Sequence, residues 1–271
     1  MDRDDAQGTM TGMPMGTSIA RRNEPLMAHG DRPLLSCYFP LGDPRVPVEL
    51  LDIYAGEGVD VVEIGMASPE PFLDGADVRA SMQRADRTLW RRDLGALLDR
   101  LAQFRKAPHA LLMTYVDAEH PAFSDRGLWE GLDSLLVVAR EDDPLAAELE
   151  KAAAAEGVSV SAFLPLPMTA AEVARAQKAS FYVMLQSNDG PTGPRKDIDP
   201  GNAERIASLK EAGIRAPILL GFGISNGAQA QEACDMGASG VVVGSQVLRA
   251  ALTGAESLKA LLRDLRSGLD A

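Results

Sequence analysis

The chain has 271 residues, 46% of them hydrophobic and 24% charged, which suits one large globular domain or two small ones. Its formal net charge of −12 argues against a nucleic-acid partner and against an anionic membrane surface, because both favour basic patches. No run approaches the ~18 apolar residues of a membrane-spanning helix. The N-terminus also lacks the continuous apolar stretch of ~7–15 residues that a secretory signal needs, so a cytoplasmic protein is expected.

Residues 1–31 are rich in Gly, Met, Asp and Arg without apolar periodicity, which predicts a flexible tail ahead of a folded unit over 32–271. From there strand-like and helix-like runs alternate. A strand at 34–39 precedes a helix near 46–57, and a strand at 59–64 precedes a helical stretch over 76–104, broken near 91–93. A strand at 109–115 leads to a short helix near 126–131, and one at 134–138 to the Ala/Glu/Lys-rich helix 144–156. Strand 158–164 is followed by helix 169–178, with Thr169 as its N-cap, and strand 180–186 by a polar loop and a helix over 200–213. The last two pairs are strand 217–221 with helix 226–236, and strand 241–244 with helix 245–266.

These make eight β/α units whose continuous apolar strands read as buried on both faces, the mark of a parallel sheet. An open doubly wound sheet gives the same alternation. Eight units over about 235 residues favour closure into a single (β/α)₈ barrel.

Two carboxylates stand out. Glu63 ends the buried-strand run Val-Asp-Val-Val-Glu-Ile-Gly (59–65), where an acid is costly unless it is paired or functional. Asp74 follows eleven residues later in Pro-Phe-Leu-Asp-Gly (71–75), a loop position where an Asp-Gly turn is the ordinary alternative. In a barrel, strand ends and the loops after them carry the acid/base groups. Far downstream, Gly-Phe-Gly-Ile-Ser (221–225) and Val-Val-Val-Gly-Ser (241–245) end the seventh and eighth strands, where barrels commonly grip phosphate. Glycines there let backbone N–H groups approach an anion, and Ser245 opens a helix. Asn-Asp-Gly-Pro-Thr-Gly (188–193) could close over a ligand.

The remaining polar candidates read as structural. His29, His109 and His120 have no ligand spacing, and Arg91, Arg92, Arg100, Arg105 and Lys106 form a solvated helix face. Trp90 and Trp129 read as packing, while Tyr115 and Tyr182 fit a pocket mouth or the core equally well. Cys37 and Cys234 fall in a strand and a helix, as buried reduced thiols rather than a disulfide or metal pair.

From about residue 34 to the C-terminus the chain resembles the tryptophan synthase α subunit family, on Leu-Gly-Asp-Pro (41–44), the 59–75 strand and loop, Pro-Thr-Gly (191–193) and the two glycine-rich strand ends. The resemblance implies a (β/α)₈ barrel that cleaves indole-3-glycerol phosphate to indole and glyceraldehyde 3-phosphate, without metal or organic cofactor. It places the family's catalytic carboxylates on Glu63 and Asp74, its phosphate grip on Gly193, Gly223, Gly244 and Ser245, and its substrate-lining aromatics on Tyr38, Tyr115, Tyr182 and Phe222. It also implies a β-subunit partner.

Several loops depart from the family pattern. Ala-Ser-Pro-Glu-Pro (67–71) replaces its Pro-Phe-Ser-Asp-Pro, Ala139 stands at its strand-4 aspartate, Asp117 at its strand-3 asparagine, and the sixth loop is about two residues longer. These departures leave three alternatives beside a coupled α chain: a stand-alone lyase that makes free indole, a non-catalytic α-like regulatory protein, and another phosphate-barrel activity.

Overall fold

The computed structural model describes residue 26 and residues 32–117, 120–140, 143–193 and 197–271. Eight parallel strands close on themselves in sequence order: β1 (Leu34–Pro40), β2 (Val61–Gly65), β3 (His109–Tyr115), β4 (Ser134–Val138), β5 (Ser159–Leu164), β6 (Val183–Gln186), β7 (Ile218–Gly221) and β8 (Gly240–Val243). β8 pairs with β1 through Leu34↔Gly240 to Cys37↔Val243, so the sheet has no free edge. The chain is therefore the (β/α)₈ barrel that the alternation predicts. Nearly every strand residue is buried, as expected where helices cover one face and the barrel interior fills the other.

The helices among the described residues are α1 (Leu51–Gly56), α2 (Ala76–Arg84), α3 (Trp90–Ala102), α4 (Pro144–Ala155), α5 (Ala170–Ala176), α6 (Asn202–Glu211), α7 (Gly227–Asp235), α8 (Ser245–Thr253) and α9 (Ala255–Leu269). Their starts follow local chemistry. Asp143 caps α4 by accepting from Leu145 N–H ahead of Pro144, and Thr169 and Glu172 form a reciprocal capping box on α5. Asn226 caps α7 through Gln229 N–H. Each such cap contributes about 1 kcal/mol.

Besides shifts of up to three residues at element ends, such as β6 starting at Val183 rather than at 180, four helical stretches differ in kind or in where they break. The break expected near 91–93 lies at 85–89, where Ala85 is extended and Asp86 accepts from Thr88 N–H to start a 3-10 turn. The helix expected near 46–57 is a 3-10 turn at Val48–Leu50 joined to the short α1. The one near 126–131 is a pair of 3-10 turns, Pro121–Ser124 and Arg126–Trp129, separated by Asp125. The final helix is two, because Gly254 takes φ +140°, a conformation open to glycine that breaks the helical ladder between α8 and α9.

At the N-terminal end of the barrel, the buried Arg266 of α9 pins the strands. It reaches Asp60 at 3.0 Å and the Pro33 carbonyl at 2.6 Å, while Asp60 also accepts from Leu35 N–H at 2.9 Å. Such contacts on this face serve stability. Cys37 is buried in β1 and Cys234 half-buried in α7, both free thiols. Trp90 and Trp129 are buried, as the packing reading expects. The basic face is partly paired: Arg91 with Asp125, Arg92 with Asp93 and Arg100 with Asp52. Among the described residues no helix is long and apolar enough to cross a membrane. Leu26 is buried in the core; the rest of the expected tail, His29 included, lies outside the described residues.

Candidate active site

At the C-terminal end of the strands, where barrels carry their active sites, a cavity opens. Both acids face it. Glu63 is carried there by β2, directly beside Tyr38 of β1 and Leu111 of β3 in the sheet register. Asp74 comes from the loop after β2. Both are 4% exposed.

Each acid has its own support. The Tyr182 hydroxyl donates to Glu63 Oε2 at 2.9 Å. Tyr182 is fully buried and does not border the cavity; it stands behind Glu63. Asp74 accepts from the Tyr115 hydroxyl at 2.7 Å and from the Thr192 hydroxyl at 3.0 Å. Burial pushes the Glu63 carboxyl up to about 7, against the opposing Tyr182 hydrogen bond and with a further push from the charge of Asp74. Burial also raises Asp74, opposed by its two hydroxyl donors and by Arg79. Glu63 is thus placed to exchange a proton near neutrality, while two donors support the charged form of Asp74.

A second part of the lining is rich in glycine backbone. Gly193, Gly223, Gly244 and Ser245 all border the cavity. Gly244 precedes α8 with no side-chain cap, so the first N–H groups of that helix remain for an anion. Gly221 and Ser225 lie outside the cavity. Met184 packs over Gly221, and Ser225 donates its N–H and hydroxyl to Gln229 Oε1, each at 2.8 Å.

The cavity is also lined by apolar side chains: Met113, Val138, Phe163, Met184, Ile224 and Phe222. Phe222 stacks on Phe163 with centroids 5.7 Å apart and has φ 71°, an uncommon left-handed backbone for a residue with a side chain. Sequence reasoning named Phe222 but missed the others. Strand alternation held a signal for one of them, since Met113 stands two residues before the inward Tyr115.

Thr192 was missed as an individual residue. Its hydroxyl holds Asp74 while accepting from Gly75 N–H at 2.8 Å, and its N–H donates to the Leu73 carbonyl at 2.8 Å. The loop after β6 is thereby stitched to the loop after β2 over the cavity. Its only signal was a hydroxyl within a Gly/Pro segment after a strand.

The departing loops meet at the rim. Arg140 pairs with Glu70 at 2.8 Å and lies 4.6 Å over the Phe72 ring, which contacts Tyr115 edge-on at 5.2 Å. Asp117 is paired with Arg87, and Ala139 packs half-buried against the core. His120 is buried, accepts from Ala122 N–H, and is pushed down to about 4 by that burial, so it is a neutral structural residue. His109 sits at the entry to β3, 3.5 Å from Asp133.

A family model described as tryptophan synthase alpha chain matches residues 26–267. The tryptophan synthase alpha chain of Synechococcus elongatus is 32% identical over 244 residues, covering 86% of this chain and 90% of that one. The alpha chain of Halobacterium salinarum is 28% identical over 271 residues, covering 91% and 95%. Among solved structures, Mycobacterium tuberculosis tryptophan synthase superposes with a TM-score of 0.75 at 24% identity, over 93% of this chain and 98% of that one. The alpha subunit from Legionella pneumophila gives 0.67 at 21% identity, over 93% and 98%. At those identities the structural likeness speaks for the fold alone.

Proposed function

The chain belongs to the tryptophan synthase alpha chain family, and from that premise we propose that it cleaves indole-3-glycerol phosphate to indole and glyceraldehyde 3-phosphate. It is a carbon–carbon lyase. The observation that carries the site assignment is that two differently supported buried acids face one cavity that glycines and an uncapped helix start also line.

The geometry suggests a division of labour. The phosphate rests on the backbone at Gly193, Gly223, Gly244 and Ser245, where N–H groups supply what a net charge of −12 does not. The indole lies among the apolar side chains, with Phe222, Tyr38 and Tyr115 around it. Asp74 accepts the indole N–H and balances the positive charge that develops when C3 is protonated. Glu63 takes the proton of the C1′ hydroxyl and serves as the acid at C3. The C3–C1′ bond then breaks, its electron pair stays with the ring, and the C1′ carbon leaves as an aldehyde. The proton lost from oxygen balances the one gained at carbon. A carboxyl with a pKa of about 7 exchanges protons in both directions near neutral pH. Tyr182 tunes it from behind.

We further assign a tryptophan synthase β subunit as the partner and the cytoplasm as the place of work. The test is indole release from indole-3-glycerol phosphate by the purified chain, alone and with a β subunit, beside Glu63→Gln and Asp74→Asn. Release that the β subunit raises and both substitutions abolish supports the full reading. No release under either condition overturns it.

A further inference from the structure

Three tyrosines surround the two acids, and their hydroxyls differ in what they bind. That of Tyr182 is taken up by Glu63 and that of Tyr115 by Asp74. The third, on Tyr38, has no hydrogen-bond partner among the described residues, although the side chain is 2% exposed and borders the cavity. A buried donor left unpaired is unfavourable and calls for an explanation.

Both ends of this side chain are located. A Cβ placed on Gly244 would lie 3.9 Å from Tyr38 Cβ, so the root of the side chain stands near the glycine wall. A Cβ placed on Gly65 would come within 2.5 Å of the Tyr38 hydroxyl and 2.1 Å of its Cε2. Gly65 closes β2 two residues after Glu63, and the bare backbone there is what admits the ring. The hydroxyl therefore lies at the level of the acids, away from the phosphate wall. Burial, then the charges of Asp74, Glu63 and Asp43, push the phenol well up, so it stays protonated and donates.

The substrate offers few acceptors for such a donor. Indole has one hydrogen-bonding group, its N–H, which is itself a donor and is assigned to Asp74. The phosphate lies at the root of Tyr38 and not at its tip. The oxygens of the glycerol chain remain. Resting on the functional reading above, we infer that the Tyr38 hydroxyl donates a hydrogen bond to a glycerol oxygen beside the scissile C3–C1′ bond. There it serves the C1′ oxygen as a hydroxyl in the substrate and as a carbonyl in the product, without giving up its proton. Tyr38 thus makes the site favour a ring that carries an oxygenated chain over the bare ring.

Tyr38→Phe removes one oxygen atom and keeps the ring. The expected result is a fall in kcat/KM for indole-3-glycerol phosphate of about 10- to 100-fold. Affinity for indole alone, measured by isothermal titration, should hold within about twofold because indole has no acceptor to lose. The thermal midpoint should stay level or rise, since an unpaired buried hydroxyl is gone. An unchanged kcat/KM overturns the assignment, and so does an equal loss toward indole and substrate, which would mark a packing role. If the unsubstituted protein releases indole and Tyr38→Phe matches it, only this assignment falls. If the unsubstituted protein releases none, alone or with a β subunit, the functional reading falls and this assignment with it.

Discussion

The two walls of the cavity solve different problems with different materials. The acid wall, from β2 and its loop, holds two buried carboxylates, and burial raises both. The glycine wall, at the ends of β7 and β8, presents backbone N–H groups beside the uncapped start of α8. Proton transfer needs a side chain whose affinity is shifted toward neutrality, and the shift is obtained by desolvation that weakens the fold. Holding a phosphate needs only fixed dipoles, which a helix start supplies without buried charge. The acid wall should therefore govern turnover and pH response, and the glycine wall should govern affinity.

The sharpest break of this comparison is Glu63→Gln, which should lower indole release by about 10²–10⁴-fold, read in a coupled or direct indole assay. The same change should stabilise the fold at alkaline pH. Glu63 moves from 4.5 to about 7 on folding, so the native state binds its proton more tightly and stability declines as pH rises between those values. The glutamine variant escapes that decline. It should exceed the parent by up to about 3 kcal/mol in urea unfolding at pH 8 and match it at pH 4. A variant that is both inactive and less stable at pH 8 would count against a strained acid.

Asp74→Asn should come next, with a loss of about 10²-fold or more in kcat as charge compensation at the ring is removed. Circular dichroism should show an intact fold, since Tyr115 and Thr192 can still bond an amide. At the glycine wall, Gly244→Ala tests affinity. Its new Cβ meets nothing closer than 3.9 Å, so it enters without a clash while room beside the phosphate shrinks. A rise in KM of roughly tenfold with kcat nearly unchanged is expected; a collapse of kcat instead would erase the distinction between the walls.

The smallest effect is expected from Tyr182→Phe. Its hydrogen bond holds the Glu63 pKa down, so removing it should move the Glu63 limb of the pH–rate profile upward by about one unit. No movement would mean that Tyr182 serves packing alone.

Much of the barrel and part of the site can be read along the chain, because their signals are local. Alternating apolar strands and amphipathic helices announce eight β/α units, the placement of Glu63 at a strand end announces a costly acid, and glycine-rich strand ends announce places where backbone can meet an anion. Helix breaks at Ala85 and Gly254 were less legible, since an extended residue in one case and a positive φ in the other decide them. The partners of the acids were not legible at all. Asp74 meets Thr192 across 118 residues of sequence and Glu63 meets Tyr182 across 119, contacts that exist only because closure of the sheet brings β2 and its loop to β6 and the loop after it. Likewise, Tyr38, Tyr115 and Tyr182 are alike as letters, yet one backs an acid, one holds an acid and one keeps a hydroxyl at the cavity that is unpaired among the described residues. Periodicity records which face a residue shows to its neighbours in the chain; what waits on that face is set by strand register and barrel closure, which only the tertiary structure decides.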